Sequence, residues 1–246
     1  MILIINIRKC LFLKRKALIY TIIISSLTIL SCTYIFPSYR NTADKDRILQ
    51  NLKNSSGKQF KFYEDSENRQ ISLSGKLSKR NSSDSIEALK FINEIKPVLS
   101  INNVNNNFTI KSLRKDELGF THIVLGQIFN NIPVEKASIS VHFDSSNVIT
   151  NVTANINYDV INSHQQLKRN ITKANADSII NKEFADNNPQ IKFLSETVIS
   201  KKPHIYFCYK YNVHYNTNNL GSYDVYVDMA TGRIVNKINK IIYQKP

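Results

Sequence analysis

Residues 119–143 restrict the fold more than any other stretch, because they read as two strands that meet at a tight connection. The flanking runs Phe120–Phe129 and Ala137–Phe143 are rich in β-branched and aromatic residues. Between them stands Asn130–Val134, and asparagine tolerates the left-handed backbone that tight turns require. The segment predicts an antiparallel strand pair, which a further strand over Val148–Ile156 extends into a sheet.

Helical spacing of apolar residues appears on both sides of this sheet. Asp44 is expected to cap a first helix, Ser83 or Asp84 a second, and Thr172 a third. The second helix is predicted to bury one apolar face, made of Ile86, Leu89, Phe91, Ile92 and Ile95. The polar stretch 162–170 carries no pattern and predicts a boundary.

Alternating apolar and polar residues predict further strands on both sides of that boundary. They are Gln59–Tyr63, Arg69–Leu77, Phe108–Leu113, Ile191–Ile199, His204–Tyr215, Tyr223–Asp228 and Arg233–Tyr243. The expected class is α+β, with two modules that each pack a helix on an antiparallel β-sheet.

The N-terminus predicts an export signal over residues 1–31. A basic cluster at Lys14–Lys16 precedes an apolar run, and the ending Ile29–Cys32 resembles a bacterial lipobox, in which the cysteine is lipidated. Apolar residues continue beyond Cys32, so an uncleaved membrane anchor is the alternative, and a secreted protein is a third. Each predicts an extracytoplasmic location, with residues 33–45 as a tether.

Charge excludes one class of partner. The formal net charge is +14, and removing residues 1–31 takes away five basic and no acidic residues, which leaves +9. The densest remaining group is Lys111, Arg114 and Lys115, beside Asp116 and Glu117. Nucleic-acid binders show a basic stripe with interleaved aromatic residues. The pattern favours a solvated basic surface and no nucleic acid, and leaves open an acidic protein partner or an anionic membrane.

Cysteine usage predicts no internal disulfide. If Cys10 is removed with the signal and Cys32 is acylated, only Cys208 remains. Cys208 lies in a strand-like run of mostly apolar and aromatic residues, so we expect a buried, inert thiol.

The first half resembles the propeptide domain of fungalysin-like and thermolysin-like zinc metalloproteases, here over residues 46–160. The family pattern is Gln-x-aromatic-x-x-Ile/Val-Pro-Val, with histidines on the flanking strands. The residues of this chain that match it are His122, Gln127, Phe129, Ile132, Pro133, Val134 and His142. Two positions depart from the family: Val124 stands where an arginine is usual, and Lys136 where a glycine is usual.

The second half, residues 165–246, resembles a PepSY domain, the usual next module in such propeptides. Its helix corresponds to Ala174–Phe184, and its closing turn to the segment that contains Asp228 and Gly232. The order of the two modules is the one that the resemblance predicts.

Enzymatic chemistry is not expected in this chain. Thermolysin-like enzymes bind zinc through His-Glu-x-x-His, and none of the five histidines is followed by glutamate or has another histidine four residues on. His122 and His142 could face each other as a metal pair, or be the structural histidines of the propeptide family. We predict no cofactor and no metal.

The resemblance implies a non-catalytic protein that binds a secreted thermolysin-like zinc metalloprotease as inhibitor, folding chaperone or both. In the family the tail after the PepSY module leads into the protease cleft, which makes Ile241, Ile242 and Tyr243 candidate contacts. The same residues could instead finish a strand. Two alternatives remain: a metalloprotease precursor that lacks its catalytic domain, and a cell-surface binding module unrelated to proteolysis.

Overall fold

The structure is a computed structural model that describes residues 42–65, 67, 69–79, 82–216 and 220–241. The chain divides into two compact units, Met1–Asn51 and Leu52–Pro246. Of the first unit, only the start of a helix is described. The signal segment, the lipobox and Cys32 lie outside the described residues. No helix in the described residues is long and apolar enough to span a bilayer.

Ten strands are described in the second unit, and all their pairings but one are antiparallel. They are β1 (Lys61–Asp65), β2 (Gln70–Ser74), β3 (Phe108–Lys115), β4 (Thr121–Phe129), β5 (Ile132–Phe143), β6 (Ile149–Asn155), β7 (Gln190–Lys201), β8 (His204–Asn216), β9 (Leu220–Asp228) and β10 (Ile234–Asn239). The first half forms β1-β2-β6-β5-β4-β3, and the second forms β7-β8-β9-β10. The halves meet where β5 and β7 run parallel at the pair Val134 and Val198.

Helices lie against this mostly antiparallel sheet, which confirms the α+β class. In the second unit they are α2 (Ser85–Glu94), α3 (Val104–Asn107), α4 (Tyr158–Ile161) and α5 (Lys173–Glu183). A further helix, α1 (residues 42–56), begins in the first unit. Asp84 caps α2 by accepting a hydrogen bond from the amide of Glu87. Thr172 caps α5 and forms a reciprocal capping box with Asn175, so both cap predictions are confirmed.

The predicted cap of the first helix is wrong. Residues 42 and 43 are already helical, so Asp44 lies inside α1, and the last residues of the predicted tether 33–45 belong to this helix. The Asp44 side chain accepts a hydrogen bond from Arg47 one turn on, at 2.8 Å. An aspartate and an arginine at this spacing stabilise a helix from within, and a cap is not needed at that point.

Both halves bury apolar residues as the alternation predicts, because successive strand residues point to opposite faces. In β4, Ile123 and Leu125 are fully buried, and in α2, Phe91 and Ile92 are buried. Ile86 is an exception, since it is 76% exposed in the first turn of α2.

One core cluster crosses the boundary between the halves. It contains Ile132, Val134, Ala137 and Val160 of the first half together with Ala176 and Ile180 of α5 and residues of β7, β8 and β9. The module limits 46–160 and 165–246 remain predictions, but the described halves share apolar contacts.

Candidate functional site

The predicted connection between β4 and β5 is a two-residue turn. Asn130 and Asn131 have φ of 50° and 62°, and Phe129 pairs directly with Ile132. Two successive residues with positive φ match the twist of a hairpin, and asparagine is among the residues that adopt them most readily. β5 therefore begins at Ile132, five residues before the predicted start at Ala137.

A bulge follows at once in β5. The pairing passes from Pro133 opposite Ile128 to Ser138 opposite Gly126, so residues 134–137 lie opposite Gln127 alone. Lys136, within the bulge, has φ of 57°. This left-handed conformation favours glycine, which accounts for the glycine that is usual at this position in the resembled family.

We expect Lys136→Gly to raise the free energy of unfolding by up to about 1 kcal/mol, because the strain of a left-handed residue outweighs the extra entropy of glycine in the unfolded chain. Urea denaturation measures the change. Lys192→Gly is the control: Lys192 is an exposed residue of β7 without positive φ, and its replacement should destabilise. Equal destabilisation by both variants would contradict the account of the bulge.

Gln127 faces the bulge and is 1% exposed. Its Nε2 donates to the carbonyl of Asn157 at 3.0 Å, and its Oε1 accepts from the amide of Asn157 at 2.8 Å. The side chain thus fixes the turn between β6 and α4 to the last third of β4. The glutamine of the family pattern is a structural clamp here and is not available to a partner.

Ile132, Pro133 and Val134 join the two halves, and we refer to them as the joint. Ile132 and Val134 are 4% and 5% exposed in the shared core. The carbonyl of Pro133 accepts from the hydroxyl of Thr197 in β7 at 3.1 Å. The Ile-Pro-Val part of the family pattern therefore holds β7 against β5.

An ion cluster lies next to the joint and includes Glu135, the residue after Val134. Lys210 of β8 donates to Glu135 at 2.8 Å and lies 3.4 Å from Asp224 of β9. All three side chains are less than a quarter exposed. Burial opposes the charge of Lys210, but the hydrogen bond to Glu135 and the nearby carboxylates outweigh it and raise the pKa of Lys210.

His122 and His142 face each other across β4 and β5. Their Nδ1 atoms are 2.7 Å apart, and Nε2 of His122 lies 3.0 Å from Oδ2 of Asp116. If Nε2–H of His122 donates to Asp116, a neutral His122 accepts through Nδ1 from the Nδ1–H of His142. No group of three or more His, Cys, Asp or Glu in the described part of the chain is placed to hold a metal ion.

This pair predicts a pH dependence of stability. Burial and the nearby charge of His122 lower the pKa of His142 from 6.5. Below pH 6.5, His142 takes up a proton more readily in the unfolded chain than in the folded chain. The free energy of unfolding therefore falls as the pH falls. We expect His142→Gln to reduce the loss of stability between about pH 7 and pH 5, measured by urea denaturation. His164→Gln, at an exposed histidine, is the control, and equal effects of both variants would contradict the role of His142.

Asp228 and Gly232 form the closing turn of β9 and β10. Asp228 is 5% exposed, and its Oδ2 accepts from the amide and the hydroxyl of Thr231, at 3.1 and 2.6 Å. Gly232 has φ of 74°, and an added Cβ would lie 3.1 Å from Cδ1 of Ile179 in α5. Both residues are therefore needed for the turn and its packing.

The thiol of Cys208 is fully buried, which confirms the sequence interpretation of its environment. Burial, followed by the charge of Asp228, raises its pKa, so the reactive thiolate is disfavoured.

The candidate protease-contacting tail is described only at Ile241. β10 ends at Asn239, four residues before the predicted end at Tyr243, and the amide of Ile241 donates to the side chain of Asn239 at 2.9 Å. Ile242 and Tyr243 lie outside the described residues.

Most residues of the two family patterns therefore have structural roles in this fold. Their side chains are buried, hydrogen-bonded or part of the joint, so a partner would meet other surfaces. Sequence reasoning missed the cluster of Glu135, Lys210 and Asp224, because partners up to 89 residues apart in the chain leave no local pattern.

Residues 106–156 match the family model of the Fungalysin/Thermolysin Propeptide Motif. The match covers about a fifth of the chain and contains β3, β4, β5 and β6, with the turn, the bulge and the joint. It ends before the second half, whose resemblance to a PepSY domain stays a prediction. A search of curated proteins finds no match. The chain thus contains a propeptide motif, which is non-catalytic in kind.

Proposed function

We propose that this protein is a non-catalytic propeptide-like protein that binds a secreted thermolysin-like metalloprotease. The observation that carries the proposal is the match of residues 106–156 to a protease propeptide motif. The fold supports it, because Gln127, the turn and the joint hold this motif in a well-packed sheet.

Binding of this kind gives both inhibition and assisted folding. A domain that binds the folded protease and not its unfolded chain stabilises the fold in proportion to its affinity. A surface that is complementary to the protease also lowers the barrier to forming contacts between distant parts of its chain. The same contact blocks proteolysis when it covers the cleft.

The tail supplies candidate contacts with that cleft. Ile241 has left the strand pairing of β10, which supports a role for Ile241, Ile242 and Tyr243 as contacts over a role as the end of a strand. Their aliphatic and aromatic side chains suit the apolar pocket that thermolysin-like enzymes use for substrates.

The first experiment measures binding and inhibition directly. The full-length protein, purified in mild detergent, is titrated against a secreted thermolysin-like protease, preferably from the same organism. We expect inhibition at micromolar concentration or below, together with a higher refolding yield of the denatured protease. The absence of both binding and inhibition at micromolar concentration would contradict the proposal.

A second experiment tests the tail. We expect Ile241→Ser, Ile242→Ser and Tyr243→Ser together to weaken inhibition, whereas Gln244→Ala with Lys245→Ala should leave it unchanged. If the triple variant inhibits as well as the wild type, the tail has no part in the mechanism.

We also propose that Cys32 carries lipid, which would hold the protein at the outer face of a bacterial membrane. The support is the lipobox-like ending of the apolar segment. Mass spectrometry of the N-terminal peptide should show acylation that Cys32→Ala abolishes. An intact N-terminus starting at Met1 would favour the uncleaved anchor.

A further inference from the structure

Strand β3 (Phe108–Lys115) forms an edge of the first-half sheet, which we name the β3 edge. Among the described strands it pairs with β4 alone. Every residue from 109 to 115 is exposed. An edge of this length presents a row of backbone donors and acceptors on which another strand can add.

A register shift between Ile110 and Ser112 brings two apolar side chains to one face of the β3 edge. Ile110 lies opposite Leu125, and Leu113 lies opposite Ile123. Their partners in β4 are fully buried, yet Ile110 and Leu113 are 37% and 52% exposed. The apolar layer of the sheet therefore continues to the edge and stops there uncovered.

Basic side chains mark the other face. Arg114 lies opposite His122, and the aliphatic stem of Lys111 lies 3.6 Å from the position of a Cβ on Gly126. Lys111, Arg114 and Lys115 make no ion pair within the described residues. By contrast, Lys237 and Lys240, on and just after the edge strand β10, pair with Glu183 and Asp224.

Nearby acidic groups do not neutralise this edge. Both oxygens of Asp116 are engaged, one by the amides of Leu118 and Phe120 and the other by His122. Glu117 is the remaining carboxylate of the turn, against three cations of the strand.

We propose that the β3 edge binds an acidic, extended segment of a partner protein by strand addition. Residues of an added strand point alternately to the two faces, so its apolar side chains would cover Ile110 and Leu113 while its carboxylates face Lys111 and Arg114. The inference rests on the proposed function in taking the protease as the natural partner. The recognised chemistry is an alternation of apolar and acidic residues.

Charge decides against a second copy of this chain as the occupant, because two β3 edges side by side would bring their cations together. Edge lysines and bulges also occur simply to keep strands apart, and β3 has both. That role does not account for Ile110 and Leu113, which leave apolar surface at the same edge.

The test uses two peptides of eight residues, one alternating valine with glutamate and the other valine with lysine. Full-length protein in neutral detergent is titrated into each labelled peptide by fluorescence anisotropy. We expect micromolar binding of the acidic peptide, binding at least about tenfold weaker for the basic one, and weakening by salt. Hydrogen exchange should show protection of residues 108–115 by the acidic peptide.

The variant Lys111→Glu with Arg114→Glu should weaken acidic-peptide binding by about tenfold or more. Lys168→Glu with Lys192→Glu changes the net charge equally at exposed sites away from the edge and should leave binding unchanged. Leu113→Ser should weaken binding without changing its salt dependence. Equal binding of both peptides, equal loss in the control variant, or protection outside β3 would overturn the proposal.

The protease separates this inference from the proposed function. If the wild type inhibits and the Lys111→Glu, Arg114→Glu variant inhibits equally well, the protease docks elsewhere and the inference fails while the function stands. If the wild type binds no protease, the proposed function fails, and the peptide titration still decides the β3 edge.

Discussion

Lys210→Met is expected to lower the free energy of unfolding by about 3 kcal/mol, because it leaves the poorly solvated Glu135 without an ion-pair partner and Asp224 with Lys240 alone. Glu135 and Asp224 would then repel each other across the boundary between the halves. Urea denaturation near neutral pH measures the loss.

Lys173→Met is the matched control. Lys173 pairs with Asp177 at 2.8 Å on α5, but these side chains are 48% and 39% exposed, so water screens the pair. An exposed pair of this kind is worth about 0.5 kcal/mol. If Lys210→Met costs no more than Lys173→Met, the cluster does not stabilise the contact between the halves.

Gln127→Met is expected to cost about 2–4 kcal/mol, because a side chain of similar length leaves both the amide and the carbonyl of Asn157 without their buried partners. The change keeps the volume at the bulge nearly constant, so the loss reports hydrogen bonds and not a cavity. Thermal or urea unfolding, with a matching fall in hydrogen-exchange protection around Asn157, measures it.

Gln165→Met provides the comparison. Gln165 is exposed and donates to the carbonyl of Ile205 at 2.9 Å. Water can replace an exposed partner, so we expect a loss below about 1 kcal/mol. Similar losses in the two variants would show that the hydrogen bonds of Gln127 to Asn157 stabilise the fold no more than the bond of Gln165 to Ile205.

Local patterns in the sequence were sufficient for most elements. The β-branched and aromatic residues of Phe120–Phe129 predicted β4, and the side chains of Asp84 and Thr172 predicted where α2 and α5 begin. Such signals succeed because each depends on residues only a few positions apart.

Features that depend on distant contacts were not predictable in this way. The start of β5 was placed too late because residues 134–137 break the alternation, and only the pairing with β4 shows that they form a bulge. Ile86 was assigned to the buried face of α2, but helical spacing alone does not show whether another element covers a residue of the first turn. Asp44 was taken as a cap because its type suits that position, although the helix already includes residues 42 and 43.

The candidate site was only partly predictable for the same reason. The pattern from Gln127 to Val134 lies within the matched segment 106–156, and His122 and His142 face each other. Their structural roles are visible only in the fold. Gln127 holds the turn at Asn157 by hydrogen bonds, and Asp228 accepts a hydrogen bond that closes the hairpin. The exposure of Ile110 and Leu113 follows from the position of β3 at an edge, which the sequence does not specify.

The joint also determines how this chain could be recombined with a related one. A chimera divided in the polar stretch 162–170 would pair one parent's Ile132 and Val134 with another parent's β7 and α5, and would mismatch the shared core. In a chimera, the hairpin from Phe129 to Ala137 must therefore come from the same parent as the second half, or be redesigned together with it. The interchangeable parts of this protein are set by what packs together and not by the linker between the motifs.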